Sequence, residues 1–503
     1  MNSHAHESGI LLSRADALLG QGRPVDAIPL YRLALKAVPN EADGWFNLAY
    51  ALRLEGIFGE ALQAYAQALA HGVGKAWQVH LNRAVIFSDH LRRDEEAEAE
   101  LQQALRLKPD YAPALLNLGN LQEERGRRDA AIDSYTRLLD LPVHATGELA
   151  QEALARLLHL KPPGSASDVL LLRLRAAAEA TAAMPDSLRA TLCFALGRAL
   201  DSLGDYEGAF AAFARGKHCA HRAQPAYDRR QAAAAVDALI TAFPAPMQPQ
   251  ATPAMEPQPL FICGMFRSGS TLLEQILAAH SHVAMAGEQD LLPRMVAGAL
   301  KPFPASVSRL DDGSRTRLAA QYHEQLLARL PAGWRESQKS YATDKRPDNY
   351  LLIGLIKQLF PRARILHTVR HPLDNGLSVF MQHLNPRLFG YAGTLADIGH
   401  HFGQYRRLMA HWKALYPDDI HDFDYDAFVA APEATLRPLL AFIGLPWQDR
   451  CLAFHKLDNT VKTASYWQVR KPLYGEASGR WRRYQGLLGP LSNALAAACV
   501  NAS

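Results

Sequence analysis

In the first half of the chain, small and apolar residues return at a nearly constant interval. Ala27, Ala61, Ala97 and Ala131 are separated by 34, 36 and 34 residues. Four residues after each stand Tyr31, Tyr65, Leu101 and Tyr135, and three further on Ala34, Ala68, Ala104 and Leu138. Upstream, Trp45, Leu48 and Ala49 match Leu115, Leu118 and Gly119 seventy residues later, with Gly56 and Gly126 ending the first helix of their units and Pro39 and Pro109 closing two of them. Another unit is read at Leu196, Gly197, Leu200, Gly204, Ala209 and Phe213, whereas residues 145–185 fit poorly. Such a register predicts helix pairs. Each pair leaves an apolar face that only its neighbour can cover, so the units stack into a superhelix.

From residue 260 the pattern changes to short apolar runs alternating with helical faces. Leu260–Cys263 ends at Gly264, Val283–Ala286 at Gly287, and Arg364–Arg370 and Ile420–Tyr425 read as two further strands. Thr271–Leu277, Leu352–Leu359, the stretch from His371 through Ser378, and Glu433–Ile443 read as helices. This alternation predicts an α/β domain with a central parallel sheet. Between the halves, Pro244, Pro246, Pro249, Pro253, Pro257 and Pro259 prevent a helix and mark a linker. The expected organisation is a repeat array over 8–225, a helix end and Pro-rich linker over 226–259, the α/β domain over 260–485 and a tail over 486–503. Residues 302–340 are charged and irregular and yield no element.

Length and charge narrow the classes. The 503 residues exceed one ordinary core, and a formal net charge of +4 implies no global attraction to nucleic acid or membrane. The N-terminal residues lack a signal-peptide pattern, and no apolar run is long enough to span a bilayer. Cys193, Cys219, Cys263, Cys451 and Cys499 are scattered and odd in number, which reads as buried thiols in a reducing compartment. A cytoplasmic location is expected. His280/His282 and His400/His401 lack companion ligands at helical spacing, so no metal site is expected.

The candidate chemistry begins at Gly264-Met265-Phe266-Arg267-Ser268-Gly269-Ser270-Thr271-Leu272. Gly264, Gly269 and Thr271 fit a Walker A loop, whose backbone N–H groups and following helix N-terminus face a phosphate. The Walker lysine is absent because Ser270 stands there, and the cation is instead Arg267. The stretch resembles the 5′-phosphosulfate loop of sulfotransferases, with Phe266 in place of a proline and Ser270 in place of a threonine. The N-terminal units, likewise, resemble tetratricopeptide repeats.

The resemblance assigns the rest of the site. Glu288, after the second apolar run, matches the glutamate that takes the acceptor's proton in tyrosylprotein sulfotransferases, and Arg294 matches an arginine of the acceptor site. Asp290 is the reserve base. Asp344-Lys345-Arg346-Pro347 resembles the family's Asn/Asp-Lys-x-Pro, which gives Lys345, with Arg267, the charge developing on the leaving phosphate. Arg370 and Ser378, eight apart across a strand-to-helix turn, resemble the 3′-phosphate site, although Gln382 stands where the family tends to carry another basic residue. Ser465 is implied to touch the donor near its sulfate, and Arg470 or Lys471 to close over its 3′-phosphate.

The resemblance thus implies a tetratricopeptide superhelix followed by a P-loop-like α/β sulfotransferase domain. Its donor would be 3′-phosphoadenosine 5′-phosphosulfate (PAPS), held by Arg267, Ser268, Gly269, Ser270, Thr271, Leu272, Arg370 and Ser378. A peptide or protein tyrosine is the favoured acceptor; a carbohydrate, lipid or small-molecule hydroxyl is the alternative. The repeat groove is expected either to hold a peptide or protein partner or to serve docking and homodimer formation. A P-loop kinase and a catalytically silent repeat adaptor are the rivals from other classes.

Overall fold

In the helical half, the recurring positions become the seams between helices. The computed structural model describes residues 2–180, 184–246, 255–331, 333–337, 339–457 and 477–500. The chain divides into two compact units, Met1–Pro162 and Pro163–Ser503. In the first, Ala27, Ala61, Ala97 and Ala131 are fully buried, as are Tyr31, Tyr65 and Tyr135. The helices Ala112–Glu124 and Arg128–Leu139 cross at Gly119, where an added Cβ would come 2.5 Å from the Tyr135 ring. The longer interval between Ala61 and Ala97 has a local cause. Helix Ala76–Val85 runs on into a π-helical turn, Ile86–Leu91, which takes up extra residues before Arg92 ends it at φ 55°.

The second unit holds a five-stranded parallel sheet: β1 (Gln258–Gly264), β2 (Val283–Ala284), β3 (Tyr341–Lys345), β4 (Ile365–Val369) and β5 (Ile420–Asp424), in the order β2-β3-β1-β4-β5. β1 is central and buried along almost its whole length, as a strand covered on both faces requires. Leu260 and Ile262 pack with Leu273, Ile276 and Leu277 of helix Ser270–Ala278, and with Leu366, Phe423, Leu436 and Leu439. That packing fixes the loop between β1 and its helix at the carboxyl ends of the central strands, where parallel sheets bind ligands.

Three segments differ from the sequence expectations. Helix Asp312–Leu327 lies in the stretch that yielded no element, with Ala319, Tyr322 and Leu326 on its buried face. The closing residues form helix Gly489–Val500, packed so closely on helix Leu395–Leu415 that a Cβ at Gly399 would meet Ala494 at 2.5 Å. The repeat-type pair Asp186–Ser202 and Tyr206–His221 belongs to the second unit. Its Lys217 Nζ donates to the carbonyls of Val379 (3.2 Å) and Gln382 (3.0 Å), at the end of helix Pro372–Phe380. Cys193, Cys219, Cys263 and Cys451 are buried free thiols. Among the described residues, no helix is long and apolar enough to cross a membrane.

Candidate active site

The loop after β1 is held in a shape that few sequences tolerate. Arg267 sits at φ 71° and Gly269 at φ 106°, the left-handed region that penalises a Cβ. A Cβ on Gly264 would lie 2.4 Å from Thr368 Oγ1, and one on Gly269 would lie 2.9 Å from the Tyr425 ring. The Ser268 hydroxyl turns inward to Thr368 Oγ1 at 2.6 Å, so it braces the loop against β4. Asn375 Nδ2 donates to the Phe266 carbonyl at 3.0 Å, tying the loop to helix Pro372–Phe380. Ser270 and Thr271 are buried at the helix start, and Leu272 packs into the core below.

Two groups of candidate residues flank this loop. On one side, Arg267 Nε donates to Ser378 Oγ at 3.2 Å, and Arg370 Nη1 reaches the Arg267 carbonyl at 3.4 Å. Arg370 also donates to the Ala477 carbonyl and stacks its guanidinium 4.8 Å from the Tyr425 ring centre. Its Nε is buried with no hydrogen-bond partner among the described residues. A buried, unsatisfied cationic donor next to a phosphate-type loop fits a phosphate oxygen. On this side, a cleft of about 360 Å³ runs past Ser268, Arg370 and Asn375.

On the other side, Lys345 ends β3 fully buried, and its Nζ donates to Glu288 Oε1 at 2.6 Å. The Glu288 side chain is 41% exposed and opens into a cleft of about 440 Å³. Met265 and Phe266 of the loop line that cleft, with Tyr350, Phe389, Tyr391 and Tyr405 opposite. His401 stacks on Tyr391 with ring centres 3.7 Å apart, and burial pushes its pKa down to about 3, so the wall is neutral there. The paired Arg346 and Asp348 (2.7 Å) also border it.

Arg294 and Asp290 form an exposed ion pair at 2.6 Å, and neither lines the two clefts. Ser465, Arg470 and Lys471 lie outside the described residues. Of the histidines, His280 Nε2 contacts the Pro446 carbonyl and His400 the Tyr227 hydroxyl, and among the described residues no group of three or more His, Cys, Asp or Glu gathers as metal ligands.

A sulfotransferase family model matches residues 259–449, and tetratricopeptide repeat models match 12–87, 114–148 and 190–216. The chain joins tetratricopeptide repeats to a sulfotransferase-family domain. It is similar to an uncharacterized protein of Aquifex aeolicus, 34% identical over 323 residues (61% of this chain, 42% of that protein). It is also similar to protein-tyrosine sulfotransferase 1 of Danio rerio, 26% identical over 245 residues (44% of this chain, 65% of that protein). The chain spans less than two thirds of the length of either relative. The solved sulfotransferase domain of the Synechococcus PCC 7002 olefin synthase is similar over 51% of this chain and 99% of that one, at 21% identity and a TM-score of 0.35.

The sulfotransferase domain carries supporting groups that the motifs did not point to. Glu274, buried on the helix after the loop, accepts from Thr343 Oγ1 (2.7 Å) and the Gly287 amide (3.0 Å). Burial pushes its carboxyl above the usual range, against the pull of Lys345. Asp344, beside Lys345, accepts from the Tyr322 hydroxyl at 2.6 Å and from Asn349 at 3.1 Å, and burial raises it to about 6. Glu274 ties β3 to the turn before Glu288, and Asp344 ties the end of β3 to Tyr322 and Asn349 beside Lys345. A carboxylate within the apolar run Leu272–Leu277 was the available signal for Glu274, and Ala319, Tyr322 and Leu326 at helical spacing were the signal for Tyr322.

Proposed function

We propose that the sulfotransferase domain transfers a sulfuryl group from PAPS to an acceptor hydroxyl, with a peptide or protein tyrosine as the favoured acceptor. The observation that carries this reading is the Lys345–Glu288 contact at 2.6 Å, on the rim of an aromatic cleft beside the loop. Glu288 accepts the acceptor's proton as its oxygen bonds to sulfur. The bond from sulfur to the phosphate oxygen breaks, and its electron pair leaves with 3′-phosphoadenosine 5′-phosphate, whose growing charge Lys345 and Arg267 offset. Arg370 and Ser378 hold the 3′-phosphate, the part of the donor that ATP lacks. The resemblance to sulfotransferases adds Ser465 and one of Arg470 and Lys471 to the donor side. Arg294 completes the acceptor side, since an exposed pair such as Arg294–Asp290 exchanges partners at little cost.

A ring-borne hydroxyl is favoured over a sugar by what the cleft offers. The hydroxyls of Tyr227, Tyr350 and Tyr405 are engaged with His400, His401 and His367, so these residues present mainly ring faces. The repeats would hold the protein bearing the tyrosine. Radiosulfur-labelled PAPS offered with a tyrosine peptide, its phenylalanine counterpart and a free sugar tests the reading. Label is expected on the tyrosine peptide alone and is lost with Glu288→Gln. Label on the sugar alone would replace the acceptor, and no transfer despite donor binding would favour a silent adaptor.

A further inference from the structure

Helix Arg229–Ala242 precedes residues 259–449, the stretch matched to the sulfotransferase family, yet it forms a wall of the cleft that holds Glu288. Ala232, Ala235 and Val236 line that cleft at i, i+3, i+4 spacing, which is one face of a helix, and Tyr227 lines it just ahead of them. The wall is anchored along its length. Asp228 caps it by accepting from the amides of Arg230 (2.8 Å) and Gln231 (3.0 Å). Arg229 Nε pairs with Asp397 Oδ1 at 2.8 Å, and Asp237 pairs with Arg407. At the far end, His411 Nε2 meets the Phe243 carbonyl at 2.9 Å, and the Phe243 ring sits edge-on to Trp412 with centres 5.6 Å apart. Gly354 leaves the space Phe243 fills, since a Cβ there would come 2.6 Å from that ring.

This wall presents small side chains to a cleft that the rings of Tyr350, Phe389, Tyr391 and Tyr405 also line. The charged side chains among the described lining residues are Glu288 and the mutually paired Arg346 and Asp348. We infer that helix Arg229–Ala242 selects the acceptor: Ala232 and Ala235 leave a slot, against the stacked Tyr391 and His401, for an uncharged planar ring whose hydroxyl reaches Glu288. The inference rests on the reading of this cleft as the acceptor site. It makes a segment outside the matched domain the determinant of what that domain modifies.

The test uses the full chain loaded with 3′-phosphoadenosine 5′-phosphate, and measures binding of 4-nitrophenol and N-acetyltyrosine amide by calorimetry. Ala235→Phe fills the slot and is expected to weaken phenol binding at least tenfold, while leaving nucleotide affinity within twofold. Ala234→Phe, at an exposed position that does not line the cleft, is expected to change neither. If Ala235→Phe also loses the nucleotide, Ala235→Leu is judged by the same criterion. Unchanged phenol binding by the Ala235 variant, or an equal loss in Ala234→Phe, overturns the inference and leaves the sulfotransferase reading intact. A wild-type protein that binds nucleotide but neither phenol overturns the inference together with the phenolic acceptor. Failure to bind the nucleotide at all counts against the donor reading instead.

Discussion

Lys345 Nζ lies 2.6 Å from Glu288 Oε1, with the lysine fully buried and the carboxylate 41% exposed at the cleft. The contact couples the proposed base to the proposed stabiliser of the leaving group. Glu288→Gln keeps an oxygen for Lys345 to donate to but removes the proton acceptor. Its kcat is expected to fall by about 10²–10⁴ with the unfolding midpoint nearly unchanged. Glu288→Ala leaves the ammonium without this partner and should also cost about 1–3 kcal/mol of stability. Steady-state kinetics beside urea melts of the two variants separate these effects.

Asp344 gives the domain a pH dependence of a definite sign. Burial raises its folded pKa to about 6, above the 3.8 of an ordinary aspartate. Between those values the folded protein keeps a proton that the unfolded chain has lost, so stability falls as pH rises through the interval and levels off above it. The difference corresponds to about 3 kcal/mol. Asp344→Asn should abolish that component, so the wild-type-minus-variant stability should drop between pH 4 and 7. Urea melts at a series of pH values measure it.

In the repeats, Gly119→Ala sets helix propensity against packing. Alanine gains about 1 kcal/mol in a helix interior, but its Cβ would come 2.5 Å from the fully buried Tyr135 ring. Overpacking typically costs about 1–3 kcal/mol, so a net loss is expected. Donor affinity should not change, because the lesion lies in the Met1–Pro162 unit and the residues proposed to bind the donor lie in the other. Thermal melts and nucleotide titration of the same variant check both statements.

Much of this architecture was legible because local patterns carried it. The spacing of Ala27, Ala61, Ala97 and Ala131 reports a packing seam, and β1 with its loop announces itself through an apolar run ending at Gly264. Less legible was anything set by distant partners. The sequence marks Arg229–Ala242 only as a helix end before a linker, because its exposed alanines carry little periodicity; its place on the cleft comes from anchors such as Asp397 and His411. The pairing of Arg267 with Ser378, and the use of the Ser268 hydroxyl to brace Thr368, likewise depend on residues about a hundred positions away.

On the proposed function, the second unit binds a nucleotide carrying a 3′-phosphate. The direct measurement is calorimetric titration of 3′-phosphoadenosine 5′-phosphate against ADP, for the wild type and for Arg370→Ala. Micromolar binding, about −8 kcal/mol, is expected for the 3′-phosphorylated nucleotide. Loss of a charge-assisted contact worth about 1.5–3 kcal/mol should remove most of the preference over ADP in Arg370→Ala. Equal or tighter binding of ADP by the wild type would rule out a 3′-phosphate site at Arg370.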